Sequence, residues 1–75
     1  MEALVETIVK ALVDHPDDVR VEKEATNSLY IYKLYVHADD TGKVIGKQGK
    51  VARSIRTVMN AAAVQSSKRV QLEIL

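Results

Sequence analysis

Val44-Ile45-Gly46-Lys47-Gln48-Gly49-Lys50 joins a short apolar segment to a long helical pattern through two glycines three residues apart. Glycine has no Cβ, so backbone there can approach a ligand closely and adopt left-handed φ values. The amides that follow open a helix, and a helix N-terminus attracts anions. Lys43, Lys47, Lys50, Arg53 and Arg56 surround the turn, and no acidic residue falls between Lys43 and Arg56. A tight cationic turn between two helices suits a sugar-phosphate backbone. The glycines also suit a plain helix-to-helix connection, but that reading leaves the acid-free surroundings unexplained.

On the C-terminal side, Val51, Ala52, Ile55, Val58, Met59 and Ala62 trace an apolar stripe through to about Val64. Lys50, Arg53, Thr57 and Asn60 lie opposite it, so the spacing predicts an amphipathic helix. Ser66-Ser67 breaks this pattern, and Val70, Leu72 and Ile74 then alternate with Arg69, Gln71 and Glu73 as a last strand. On the N-terminal side, Asp39-Asp40 offers an N-cap for a short helix from about Thr41 to Ile45, which Gly42 weakens. Leu29 to Ala38 reads as the best strand of the chain. Its alternation puts Tyr30, Tyr32, Leu34, Val36 and Ala38 on one face and Leu29, Ile31, Lys33, Tyr35 and His37 on the other, with Leu34 and Val36 in the core. Before the Thr26-Asn27-Ser28 turn, Val19 and Val21 alternate with Arg20, Glu22 and Glu24 as a half-exposed strand. Leu4, Val5, Ile8, Val9 and Leu12 keep helical spacing. Pro16 cannot continue that helix and disfavours helical geometry at His15, which predicts an end near Asp14. The order α-β-β-α-α-β predicts an α+β fold: a three-stranded sheet with three helices packed on one face.

Seventy-five residues are expected to form a single domain with a modest core, since the chain has no Phe or Trp. Without Cys there is no disulfide, thiolate metal site or thiol nucleophile, which fits a reducing cytoplasm. The acidic start lacks the features of a signal peptide, and no apolar run approaches the roughly 20 residues that span a bilayer. A soluble, cytoplasmic protein with no membrane partner is expected. The net charge of +1 conceals an asymmetry: residues 1–42 carry nine acids against four bases, a net of −5, and residues 43–75 carry seven bases against Glu73 alone, a net of +6. A charge divided in this way points to a polyanion-facing surface in the second half.

The Ile45-Gly46-Lys47-Gln48-Gly49 stretch, its flanking helices and the element order together resemble a KH domain of type II, the arrangement with an extra helix and strand at the N-terminus. Gly46-Lys47-Gln48-Gly49 matches the GXXG loop and Ile45 the apolar residue before it. The resemblance covers the whole chain and is closest in kind to small stand-alone bacterial KH proteins, the KhpA family. It implies single-stranded RNA binding, with a clamp on about four nucleotides and bases entering an adjacent apolar groove. Ile45, Gly46, Lys47, Gln48, Gly49 and Lys50 would hold RNA, helped by Lys43, Arg53 and Arg56. The groove would be built from Ile45 and apolar residues of the two helices and the middle strand. Gln48 departs from the family in being neutral where such loops often carry a second base. The resemblance further implies self-association, a larger KH-containing partner (KhpB-like), and an RNA-chaperone role linked to cell-wall homeostasis and cell length.

Two other classes of binder compete with this reading. Residues 50–64 could serve as the reading helix of a helix-turn-helix duplex DNA binder, although the flanking strands favour KH and such folds usually act as symmetric pairs. A protein-interaction adaptor could use the sheet face bearing Leu29, Ile31 and Tyr35, and a homodimer through that face is expected. An enzyme is not. There is no Cys nucleophile, no Ser-His-Asp pattern, and the glycine turn lacks the Gly-Lys-Ser/Thr ending of a P-loop. No cofactor or metal is expected, because His15 and His37 have no ligand-like spacing and Asp39-Asp40 reads as a cap and turn. The three Tyr read as packing residues, and Lys68 and Arg69 as a solvated strand entrance.

Overall fold

Alternation along the strands decides the architecture. Val21, Tyr32, Leu34 and Leu72 are all buried, and strand register puts them on one face of one sheet. The computed structural model describes residues 1–66 and 68–75. It orders the sheet β1-β2-β3, with β1 at Arg20–Ala25, β2 at Leu29–Tyr35 and β3 at Arg69–Ile74. β1 pairs antiparallel with β2, Val21 opposite Leu34, whereas β3 runs parallel to β2, Tyr32 opposite Leu72. A parallel pair needs a crossover, supplied here by α2 (Thr41–Ile45) and α3 (Lys50–Ala62). The remaining helix, α1 (Glu2–Lys10), packs on β1, while α3 packs on β3. Val5 and Val9 of α1, Val44 of α2, and Ile55 and Met59 of α3 close over the sheet residues to form the core. Leu34 lies fully buried among them, and truncating such a side chain to Ala costs ~2–5 kcal/mol. The expected α+β order and the single helical layer are both present.

Several boundaries differ from the expected ones, each for a tertiary reason. α1 stops at Lys10 rather than near Asp14. The backbone N–H groups of Asp14 and His15 donate instead to the carboxylate of Asp40, at 3.2 and 2.9 Å, so this segment is drawn out of the helix before Pro16 acts. Pro16–Asp18 forms a single 3-10 turn. β2 ends at Tyr35 rather than Ala38, because Tyr35 faces Arg20, where β1 begins, and no ladder partner lies beyond among the described residues. Ala38–Asp40 is another 3-10 turn, in which the Asp39 N–H donates to Nδ1 of His37 at 3.0 Å. α3 ends at Ala62, slightly before Val64. Of the Ser66-Ser67 break, Ser67 lies outside the described residues. Among the described residues, no helix is long and apolar enough to cross a membrane.

Asp40 corrects the expected cap. It stands at the N-cap of α2 but makes no side-chain capping bond. Its carboxylate is fully buried and accepts from the Asp14 and His15 amides and from His15 Nδ1 at 3.1 Å. Burial pushes this carboxyl up, yet the two amides and the imidazole together hold it below the usual carboxylate range. The residue ties the loop after α1 to the start of α2.

Candidate nucleic-acid interface

The glycine turn is a close approach of α2 to the first turn of α3. The Gly46 N–H closes α2 by donating to Gly42 O at 2.8 Å. Gly46 itself has φ 75 and ψ 173, a region essentially restricted to glycine. A Cβ there would lie 2.4 Å from Val51 Cγ2 and 2.9 Å from the Val51 backbone nitrogen. Lys47–Gly49 then makes a tight turn, with the Gly49 N–H donating to Gly46 O at 3.2 Å. Gly49 is left-handed (φ 74) and leads into Lys50, the first residue of α3. Between the glycines, Gln48 has φ 59, alone among the described non-glycine residues in being positive. A left-handed backbone costs such a residue roughly 1–2 kcal/mol, and strain of this kind collects at ligand-binding turns.

The strained turn leaves donors unpaired. Among the described residues, the backbone N–H groups of Lys47 and Gln48 donate to no protein acceptor, and both side chains are exposed. Lys50, Arg53 and Arg56 continue the charge along α3 and are exposed as well. None of these four cations has an acidic partner among the described residues. Arg56 donates from Nη2 to Leu72 O at 3.4 Å and so bridges α3 to the edge strand β3. Beside it opens a cleft of about 110 Å³ lined by Arg56, Met59, Asn60, Val70, Gln71 and Leu72. Asn60 and Val70 also line a neighbouring recess with Lys68 and Arg69. Ile45, 39% exposed, supplies apolar surface at the mouth of the turn.

The structure rearranges some expectations. The cleft beside Arg56 lies against β3, the edge strand. Asn60, Val70 and Gln71 therefore join the candidate residues. Their signal in the sequence was only that Asn60 falls on the polar side of the long helix and that Val70 and Gln71 alternate. Lys43 leaves the set of uncompensated cations, because it pairs with Asp14 and lies 3.8 Å from Asp40 Oδ1. The hydrogen bond to Asp14 holds its ammonium above the usual range. Lys68 is not a bare strand entrance: its ammonium sits 4.7 Å from the Tyr30 ring centroid, with that of Lys23 at 4.1 Å.

Two surfaces bear on protein partners. The outer sheet face carries Leu29, Ile31 and Tyr35 only half-exposed and framed by charge. Lys33 pairs with Glu24 at 2.8 Å and the Arg20 guanidinium lies 4.3 Å from the Tyr35 ring. On the side of α3 away from its cations, Ile8, Leu12, Val51, Ser54, Ile55 and Val58 line a groove of about 330 Å³. Leu12 and Val58 are each 43% exposed there. Elsewhere, folding brings together the two histidines, which sequence spacing kept apart: their rings stack at 4.0 Å.

A three-stranded mixed sheet under three helices, with a glycine-bounded turn joining the last two, defines a type II KH fold. The family model "KhpA/KhpB, KH domain" matches residues 2–74, and the chain belongs to this family. RNA-binding protein KhpA of Bacillus subtilis (strain 168) is 58% identical over 74 residues, covering 99% of this chain and 91% of that protein. The protein of the same name from Halalkalibacterium halodurans is 57% identical over 76 residues, covering 100% and 99%. That of Clostridium acetobutylicum is 52% identical over 75 residues, covering 100% of both chains. No solved structure matches the chain.

Proposed function

We propose that this chain is a single-domain, non-enzymatic protein that binds single-stranded RNA through Ile45–Lys50, Arg53 and Arg56, with bases entering the cleft between α3 and β3. The observation that carries the reading is the turn itself: free Lys47 and Gln48 amides, a strained Gln48, and four uncompensated cations on one side. Such a site neutralises phosphates and leaves room for unstacked bases. Relatives named RNA-binding proteins support the same polymer. Membership of a family named for both KhpA and KhpB supports a KhpB-like partner. The family resemblance extends the proposal to an RNA chaperone of the cytoplasm, serving cell-wall homeostasis and cell length. The test is Lys47→Asp combined with Gln48→Asp, which turns donor surface into acceptor surface at the phosphates. Loss of binding to a labelled single strand, with an unchanged circular dichroism spectrum, is expected. Undiminished affinity in the folded variant refutes the reading, and duplex DNA out-competing single-stranded RNA would favour the helix-turn-helix alternative.

Self-association is a second part of the proposal, moved from the outer sheet face to the groove between α1 and α3. The supporting observation is the contrast between that apolar groove and the charge-framed Leu29, Ile31 and Tyr35. Burying the groove in a homodimer, or against the KhpB-like partner, leaves the RNA-facing side of α3 open.

A further inference from the structure

The chain has two histidines, neither used by the RNA site, and the fold stacks their rings 13° from parallel. We propose that His15, His37 and Asp39 bind a borderline transition-metal dication such as Zn²⁺. One donor atom from each lies within 4.8 Å of the others. His37 Nδ1 and Asp39 Oδ2 are 3.6 Å apart, a gap that an ion about 2.0–2.2 Å from each would span.

The tautomer of His15 is already the one a metal needs. Its Nδ1 lies 3.1 Å from Asp40 Oδ2. An ionised carboxylate only accepts, so Nδ1 carries the proton and the Nε2 lone pair is free. Asp40 is fully buried and fixed by the Asp14 and His15 amides. A carboxylate behind an imidazole in this way orients the ring and raises its basicity towards a metal. For His37, the ion takes the Nδ1 lone pair that now accepts the Asp39 N–H. The near-parallel rings must tip towards a shared edge. Their side chains, 44% and 35% exposed, stand on turns with solvent to move into.

Charge favours a cation here. Asp14, Asp17 and Asp18 adjoin His15 in sequence, and Asp39 and Asp40 follow His37, with Lys43 the base paired into the cluster. Two imidazoles with one carboxylate suit Zn²⁺, Ni²⁺ or Cu²⁺ rather than Mg²⁺, which prefers oxygen and water. Three protein ligands leave a further position for water. The ion would pin the loop after α1 to the turn before α2, at the opposite end of α2 from the glycine turn.

Calorimetric titration of metal-free protein with ZnCl₂ and, separately, MgCl₂, without RNA, tests the proposal. One equivalent of Zn²⁺ is expected to bind, with no saturable heat from Mg²⁺. His37→Gln or Asp39→Asn should weaken uptake at least tenfold, and acidification should weaken it because protons compete for the same nitrogens. Imidazole ¹⁵N spectra of the unsubstituted protein give a readout independent of any variant, and both rings should shift on saturation. Absence of a one-equivalent isotherm, ring signals that do not move, equal uptake of Mg²⁺, or undiminished uptake by a His15→Gln, His37→Gln double variant would each overturn it.

Discussion

Replacing either loop glycine by alanine gives two outcomes that the turn geometry separates sharply. Gly46 holds φ 75 and ψ 173, a conformation that costs a non-glycine residue ~1–3 kcal/mol. The added Cβ also falls 2.4 Å from Val51 Cγ2, 2.8 Å from Val51 Cβ and 2.9 Å from Val51 N. The last of these is backbone in the first turn of α3, which cannot swing aside, and relieving such overpacking costs a further ~1–3 kcal/mol. Together these predict a loss of ~2–6 kcal/mol. Gly49 has φ 74 and ψ 15, with nothing within 4 Å of a built Cβ. Alanine there incurs only the left-handed backbone cost of ~1–2 kcal/mol. That cost is partly offset by about 0.4–1 kcal/mol from a stiffer unfolded chain. A domain of this size is stable by only ~4–11 kcal/mol, so Gly46→Ala should remove a large share of its stability, and Gly49→Ala should remove little. Urea unfolding followed by circular dichroism measures both, with the slope checked for constancy. Equal losses for the two variants, or a larger loss at Gly49, would show that contact with Val51 does not set the geometry of the turn.

Four further outcomes are expected. The lowered Asp40 carboxyl contributes stability that is fully present above the unfolded value of about 3.9 and lost as pH falls through the folded value, so Asp40→Asn should flatten the acid limb of a plot of urea midpoint against pH. In sedimentation across a concentration series, Leu12→Asp or Val58→Asp should abolish self-association while Ile31→Asp leaves it intact; the reverse pattern would return the interface to the sheet. Salt titration of single-stranded RNA binding should give a log–log slope of about −3 for the four cations Lys47, Lys50, Arg53 and Arg56, and Arg53→Ala should reduce it by about 0.7. Oligomers spanning two sites should bind a self-associated protein more tightly than a four-nucleotide fragment does.

The element order was legible from the sequence because it rests on local periodicities. The alternation that buries Val21, Tyr32, Leu34 and Leu72 is a property of a few neighbouring residues, and so is the stripe from Val51 to Ala62 that makes α3. The same holds for Gly46-Lys47-Gln48-Gly49 and its cationic setting. Glycines, apolar spacing and the absence of acids can all be read without knowing what lies across the fold.

Tertiary structure decided whatever depends on residues distant in the chain. Asp40 looked like a helix cap, and folding buried it to bind the Asp14 and His15 amides, which in turn ended α1 early. Lys43 looked equivalent to Lys47 and Lys50, and its meeting with Asp14 compensated its charge. The two histidines had no spacing to join them until two separate turns came together. The cleft beside Arg56 lies along β3, which the strand order places at an edge of the sheet. Even the need for Gly46 rests on where Val51 lies across the turn. Periodicity tells which way a side chain points along its own element, but its partner is set by the packing of elements against one another, which brings together residues that no local pattern connects.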